Sequence, residues 1–95
     1  MKPLYLIAEI YPNPEKLAVA KAAYQDLRRE TLQEAGCICY DLVAESNNQW
    51  FMLEKWDSRE AWDRHMNSGH VKKIQQLEPL LTSKKTKLTL LTEVE

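Results

Sequence analysis

The chain has 95 residues, with 13 lysines and arginines, 14 aspartates and glutamates, and a formal net charge of −1. This length suits a single domain over residues 1–95, and the balanced charge offers no basic surface for nucleic acid. No run approaches the ~18 apolar residues that a membrane span needs, and no signal-peptide pattern is present, so we expect a cytoplasmic protein without membrane association.

The first two elements are predicted to be a strand and a long helix. Apolar residues alternate over residues 4–11, as in a strand. Asn13 and Pro14 are typical of a helix start, and apolar residues then follow at helical spacing. Gly36 stands where a glycine commonly ends a helix, so the helix is predicted over residues 14–34.

Two further strands are predicted over residues 37–44 and 50–56, joined as a hairpin by the polar segment ESNNQ. Alternation places Cys37 and Cys39 on one face of the first, as reduced and partly buried thiols. In the second, Glu54 shares a face with two tryptophans. We expect a charged partner across a subunit interface to stabilise that carboxylate.

The last elements are two short helices and a strand. Asp57 and Glu60 have capping-box spacing for a helix over residues 58–66. A third helix is predicted over residues 68–78, because Pro79 disfavours helical geometry in the residue before it. A final strand is predicted over residues 84–92.

The resulting order, β-α-β-β-α-α-β, predicts an α+β fold. It is that of a ferredoxin-like sandwich with an antiparallel four-stranded sheet, whose second helix is divided in two. Helices would cover one face of the sheet. The other face carries large apolar residues, so we expect a homodimer that buries this face against a second sheet.

Both histidines lie in the segment EKWDSREAWDRHMNSGH. At about 100° per residue, His65 falls within the apolar arc of its helix, and His70 lies on the inward side of the next helix. A buried imidazole stays neutral and can act as a base. The alternative is an inward histidine that only satisfies a backbone carbonyl. No metal site is expected, because a helix break separates the histidines and the neighbouring acids face away.

Four other residues are candidates for a binding pocket. Trp56 and Trp62 are predicted to form aromatic walls or, alternatively, ordinary core. Tyr40 is predicted to offer its hydroxyl to the pocket or to solvent, and Asn67 to donate to a ligand oxygen or to cap a loop. No glycine-rich loop, nucleophile elbow or CxxC motif is present, so nucleotide, flavin and acyl-enzyme mechanisms have no support.

The runs EAGCICYDL and FMLEKWDSREAWDRHMNSGHV resemble the antibiotic biosynthesis monooxygenase family. Its members show Glu-x-Gly-Cys-x-x-Tyr, then Glu-x-Trp, a helix ending in His, and Ser-x-His, and the resemblance covers essentially the whole chain. It implies a dimeric α/β barrel and a monooxygenase without metal, flavin or haem. The implied reaction oxidises a small phenol or hydroquinone, an aromatic substrate, with dioxygen to a quinone. By motif, His65 is the implied base or orienting group, and His70, Trp56, Trp62 and Asn67 are the implied substrate contacts.

Other activities on this fold are less compatible with the sequence. The haem-degrading branch carries different residues at the places of Ile10, His65 and Gln75. The branch that isomerises a sugar phosphate would need clustered basic residues at the pocket. A non-catalytic dimeric module that binds an aromatic metabolite, for example in a stress response, shares every feature with the oxygenase, and only turnover distinguishes the two.

Overall fold

The computed structural model describes residues 2–95, and its elements follow the predicted order. The strands are β1 (Leu4–Pro12), β2 (Cys37–Ser46), β3 (Gln49–Trp56) and β4 (Thr82–Leu91). They form one antiparallel sheet in the order β2-β3-β1-β4. The helices are α1 (Leu17–Thr31), α2 (Arg59–Met66) and α3 (Gly69–Leu81). The predicted ferredoxin-like α+β fold is therefore confirmed. Among the described residues, no helix has the length and apolar character to cross a membrane.

The two faces of the sheet differ in burial. Along β3, alternate residues are buried, and these are Trp50, Met52, Glu54 and Trp56. They pack beneath the helices together with alternate residues of β1 and the inward residues of α1, which are Ala20, Tyr24, Leu27 and Thr31. The opposite face, here called the outer face, carries Ile7, Val43, Phe51, Leu53 and Leu91. No helix among residues 2–95 covers the outer face, so the core lies on the helix side alone.

The first helix is shorter than predicted at both ends. It begins as a 3-10 turn over Pro14–Lys16, with Asn13 as N-cap, and the α-helix ends at Thr31. The next residues form tighter turns, in which Gln33 N–H donates to Glu30 O and Glu34 N–H to Thr31 O. Gly36 lies beyond these turns at φ +88° and directs the chain into β2.

A bulge at the start of β2 separates the two cysteines. Cys37 pairs with Trp56 and Cys39 with Lys55, so two steps along β2 match one step along β3. Cys37 therefore faces the helices and Cys39 the outer face, and the prediction that both share one face is wrong. Both are free thiols.

Ser58, rather than Asp57, caps α2. Ser58 Oγ accepts a hydrogen bond from Ala61 N at 3.2 Å, and Asp57 Oδ1 in turn accepts from Ser58 Oγ at 3.1 Å. The predicted capping-box position is thus displaced by one residue, because the serine hydroxyl reaches the free amides of the first turn.

Helix α3 continues past Pro79 to Leu81. The prediction that it ends at residue 78 is therefore wrong. Leu81 is buried, and its carbonyl accepts a hydrogen bond from Asn13 N at 2.8 Å. These tertiary contacts favour one more helical turn over the local preference of the residue before proline. Strand β4 then starts at Thr82, two residues earlier than predicted.

Candidate functional site

A cavity of about 190 Å³ lies between the helices and the covered face of the sheet. Its walls are mainly apolar and aromatic, and include Ile10, Tyr24, Met52, Trp62, Met66 and Leu88. The polar groups at its surface include Glu54, His65, Gln75, Glu78, Lys85 and Thr86. An apolar cavity of roughly 150 Å³ holds one benzene molecule. The size therefore suits a single substituted aromatic ring.

His65 is at the wall of this cavity, and its predicted inward orientation is confirmed by an exposure of only 2%. Helix α2 places the imidazole 4.7 Å from the Trp56 ring and 5.4 Å from the Tyr40 ring, centroid to centroid. Burial lowers the pKa of His65 below its usual value, although the hydrogen bond to Glu34 opposes the shift. The ring is therefore neutral near pH 7 and able to accept a proton.

Glu34 orients the His65 ring. His65 Nδ1 lies 2.6 Å from Glu34 Oε2, and His70 Nε2 lies 2.8 Å from the same oxygen. Because a carboxylate accepts hydrogen bonds, His65 carries its proton on Nδ1, and the lone pair of Nε2 remains for a ligand. The partner of His65 is therefore the carboxylate of Glu34, and not the backbone carbonyl that the alternative prediction assigned to it.

Sequence reasoning missed Glu34 as a functional residue. It lies in the turn between α1 and β2, and is 31 residues from His65 and 36 residues from His70. No helical or strand periodicity connects positions so far apart. The available signal was the Glu-x-Gly-Cys run, in which Gly36 allows the chain to lie close against α2.

Glu34, His65 and His70 also form a possible metal-ligand set, since their donor atoms lie within 4.8 Å of one another. Two imidazoles and one carboxylate suit zinc and several transition metals. Tetrahedral zinc with bonds of about 2.0–2.1 Å would hold the donor atoms roughly 3.3 Å apart. The observed separations of 2.6 and 2.8 Å are those of hydrogen bonds. A metal would therefore require the Glu34 oxygen to move away from both imidazoles.

The aromatic candidates lie around His65. Tyr40 and Trp62 line the cavity, and Tyr40 is 4% exposed. Burial raises the pKa of the Tyr40 hydroxyl well above its usual value, so the phenol stays protonated. Trp56 is fully buried, with its ring against His65 and its Nε1–H donating to Glu54. Trp56 is therefore a core residue that packs against His65 and is not among the residues that line the cavity.

His70 and Asn67 lie outside the cavity. His70 borders an open groove between α1 and α3 and reaches the site through Glu34 and through its own ring, whose centroid lies 5.9 Å from that of His65. Asn67 is exposed at the C-terminal end of α2, where its side-chain amide donates to the carbonyl oxygen of Asp63 at 2.9 Å. The structure therefore places His70 behind Glu34 and His65, and Asn67 at a helix cap.

Glu54 contradicts the expectation of a charge partner across a subunit interface. Its side chain faces the helices, borders the cavity and is 7% exposed. Its Oε1 accepts a hydrogen bond from Trp56 Nε1 at 3.0 Å. Burial raises the pKa of Glu54 to about 7, with the Glu34 charge adding to the shift and the Trp56 hydrogen bond opposing it.

Several solved structures share this fold. A conserved protein from Methanosarcina mazei has a TM-score of 0.90 and 30% identity, over 96% of this chain and 92% of that one. Rv0793 from Mycobacterium tuberculosis has a TM-score of 0.90 and 26% identity, over 98% and 96%. An antibiotic biosynthesis monooxygenase of known structure has a TM-score of 0.90 and 26% identity, over 97% and 99%. No curated protein gave a significant match.

The family comparison covers the elements that build the site. The family model for antibiotic biosynthesis monooxygenases matches residues 3–77. This span includes β1, the turn that carries Glu34, and the α2–α3 segment that carries both histidines. The chain therefore belongs to the antibiotic biosynthesis monooxygenase family.

Proposed function

We propose that this protein is a cofactor-independent monooxygenase that oxidises a small phenol or hydroquinone to a quinone with dioxygen. The observation that carries the proposal is the buried imidazole of His65, oriented by Glu34 at 2.6 Å, at the wall of an apolar cavity of about 190 Å³. Membership of the monooxygenase family supports an oxygenase reaction. The size and the mainly apolar lining of the cavity support the proposed substrate class.

In the proposed complex, the aromatic ring lies beside Trp62 and its hydroxyl donates to His65 Nε2. Proton transfer from a phenol of pKa ~10 to an imidazole of pKa ~6.5 costs about 5 kcal/mol, and burial adds to that cost. The carboxylate of Glu34 offsets part of it by stabilising the imidazolium through Nδ1. His65 is therefore the general base, and Glu34 is a positioning residue.

The bound phenolate is then electron-rich enough to reduce dioxygen. It passes one electron to dioxygen, which gives a phenoxyl radical and superoxide. These combine at a ring carbon to form a C–O bond, and the resulting peroxide takes up the proton held by His65. Cleavage of the O–O bond with loss of the ring hydrogen gives a carbonyl and one water. A phenol and dioxygen thus become a quinone and water, and the protein supplies positioning, proton transfer and a dry cavity.

The lining of the cavity disfavours a sugar phosphate as substrate. Among the described residues that line it, Lys85 is the single lysine or arginine, and the carboxyl groups of Glu54 and Glu78 share the same space. A phosphate group needs several cationic or amide donors. A haem macrocycle is likewise much larger than a cavity suited to one ring.

We also propose that the protein acts as a homodimer through the outer face of the sheet. Val43, Leu53 and Leu91 are 42%, 39% and 43% exposed there. Contiguous exposed apolar residues of this kind are typical of subunit interfaces. A second copy packed sheet against sheet would leave the helix side, and thus the cavity, free to bind substrate.

Oxygen consumption by chelator-treated protein tests the proposed oxidation. We expect saturable uptake above the spontaneous rate with at least one member of a panel of phenols and hydroquinones. His65→Ala should reduce it by about 100-fold or more, the usual contribution of a general base, and added imidazole should restore part of it. Asn67→Ala, at an exposed helix cap, serves as the matched control. Uptake that never exceeds the spontaneous rate would identify a binding module, and uptake lost on chelation would identify a metal enzyme.

A further inference from the structure

Glu54 is a buried acid that the chemistry above does not use. It is in the middle of β3, paired with Leu6 of β1 and Tyr40 of β2, and its side chain borders the cavity. No lysine or arginine among residues 2–95 forms an ion pair with it. A carboxylate buried without a cation is costly, so the protonated acid is the favoured form in the empty cavity.

The groups around Glu54 reinforce this preference. The titratable side chains that face it or share its cavity are Tyr24, Glu34, Cys37, Tyr40, His65, Glu78 and Lys85. The nearest of these are acids or weak acids, and neutral His65 adds no positive charge. Trp56 Nε1–H satisfies Oε1, which leaves the second carboxyl oxygen for another partner. Burial and the Glu34 charge raise the pKa of Glu54 to about 7.

Glu54 and His65 both contact Trp56, one through the indole nitrogen at 3.0 Å and the other against its ring at 4.7 Å. Both side chains also line the same small cavity. His65 accepts a hydrogen bond through Nε2, and protonated Glu54 donates one. A ligand that satisfies both groups needs a hydroxyl and a second oxygen on a neutral, flat body.

We propose that Glu54 is a specificity-determining residue that donates a hydrogen bond to a second oxygen of the substrate, while His65 holds the first hydroxyl. This inference rests on the proposed function and narrows its substrate class to neutral aromatic rings with two oxygen substituents, such as hydroquinones. Anionic rings are disfavoured because neutral His65 and protonated Glu54 carry no positive charge, and the one lysine of the lining, Lys85, shares the cavity with Glu78. A ring with one hydroxyl would leave the buried carboxyl group without a partner.

Equilibrium binding without oxygen tests this inference separately from oxidation. Binding of hydroquinone and of phenol is measured under argon by titration calorimetry with the wild-type protein, Glu54→Gln and Glu54→Leu. One hydrogen bond should favour hydroquinone by about tenfold in the wild type at pH 6. The preference should persist in Glu54→Gln, whose amide also donates, and disappear in Glu54→Leu. Glu60→Gln, on the exposed side of α2, is the matched control, and thermal unfolding confirms that each variant is folded.

The pH dependence separates a hydrogen-bond donor from a merely polar wall. Above about pH 7 the Glu54 carboxyl of the wild type ionises and can no longer donate a hydrogen bond. The preference of the wild type for hydroquinone should then fall, while that of Glu54→Gln should stay constant. Equal preference in Glu54→Leu and the wild type would overturn the inference, as would no binding of either probe by the wild type. If Glu54→Leu loses the preference for hydroquinone but the wild type consumes no oxygen, the role of Glu54 in binding is upheld and the proposed oxidation is refuted. If the wild type consumes oxygen but Glu54→Leu keeps the preference for hydroquinone, the oxidation is upheld and the role of Glu54 is refuted.

Discussion

Glu34 determines which nitrogen of His65 is available to a substrate, because its Oε2 accepts a hydrogen bond from the protonated Nδ1 at 2.6 Å. Glu34→Gln removes the charge that stabilises the imidazolium, and we expect kcat to fall by about 100-fold. The rate needs neutral His65, so it falls as pH drops through the pKa of this residue, which burial lowers from its usual value and Glu34 partly restores. Without the Glu34 charge that pKa is lower still, and the acid limb should move to lower pH.

Steady-state oxygen uptake across pH measures this effect, with Glu60→Gln as the control for loss of an exposed carboxylate near α2. A purely structural role for Glu34 would lower the amount of active enzyme without moving the acid limb. An unchanged limb in a folded Glu34→Gln variant would therefore contradict its assignment as the positioning residue of His65.

The buried carboxyl of Glu54 makes stability depend on pH. Its pKa is about 7 in the folded protein against a usual value of 4.5, so the unfolded chain releases this proton at lower pH. The free energy of unfolding therefore falls as pH rises from about 4.5 to about 7, and the loss amounts to about 2 kcal/mol between pH 5 and 8. Glu54→Gln cannot ionise and should escape this loss.

Urea unfolding of the wild type and Glu54→Gln at pH 5 and pH 8 tests the linkage. The lowered pKa of His65 acts in the other direction, destabilising the fold on the acid side of its usual range, and is common to both proteins. The difference between them isolates Glu54. We expect the free energy of unfolding of Glu54→Gln, relative to that of the wild type, to be higher at pH 8 than at pH 5. A difference between the two proteins that does not depend on pH would show that Glu54 ionises normally.

The sequence predicted the orientation of His65 correctly because helical periodicity is local information. It did not predict the partners of His65, because the Glu34 contact spans 31 residues and depends on how a turn packs against α2. It also assigned Glu54 the wrong partner. The alternation of residues along β3 showed that Glu54 shares a face with Trp50 and Trp56, but it did not show whether that face packs against the helices or against a second sheet.

At the scale of elements, Gly36 fixes the turn that carries Glu34 against the start of α2. It has φ +88°, and a Cβ there would lie 2.6 Å from Ala61 Cβ and 2.7 Å from Asp57 Oδ1. We expect Gly36→Ala to cost about 2–4 kcal/mol, the sum of left-handed backbone strain and overpacking. Gly69→Ala is the matched control, since a Cβ there meets no atom within 4 Å and alanine suits a helix.

Equilibrium urea unfolding of the two alanine variants gives the comparison directly. Gly36→Ala should lower the denaturation midpoint clearly, and Gly69→Ala should leave it unchanged or raise it slightly. Similar midpoints for both variants would mean that the close approach of the turn to α2 relaxes at little cost.

The element order was predictable, but two local irregularities were not. The bulge between Cys37 and Cys39 adds one residue to β2 relative to β3, which an alternation pattern read along one strand does not reveal. Helix α3 passes Pro79 because Leu81 is buried and its carbonyl bonds to Asn13, a contact between distant segments. In both places tertiary packing determined the outcome rather than local preference.

At the scale of the whole molecule, the sheet divides two roles. Its covered face carries the cavity and the Glu54 carboxyl. The outer face carries exposed apolar side chains, and none of the described residues that line the cavity lies on it. Leu53 is near the centre of the outer face, because β3 is an inner strand and Leu53 pairs with Ile7 on one side and Asp41 on the other. A symmetric sheet-to-sheet dimer would therefore bury Leu53 of both copies.

Leu53→Lys should dissociate that dimer. Symmetry introduces the charge twice at the centre of the interface, in place of two apolar side chains, and we expect the dissociation constant to rise by at least about 100-fold, equivalent to about 3 kcal/mol. Leu80→Lys is the matched control, because Leu80 is 66% exposed on α3, on the opposite side of the molecule. Sedimentation velocity at micromolar concentration should show dimers for the wild type and Leu80→Lys and monomers for Leu53→Lys. Because the cavity lies within one protomer, the monomer should still bind the ligand, and a wild type that sediments as a monomer would refute the outer face as an interface.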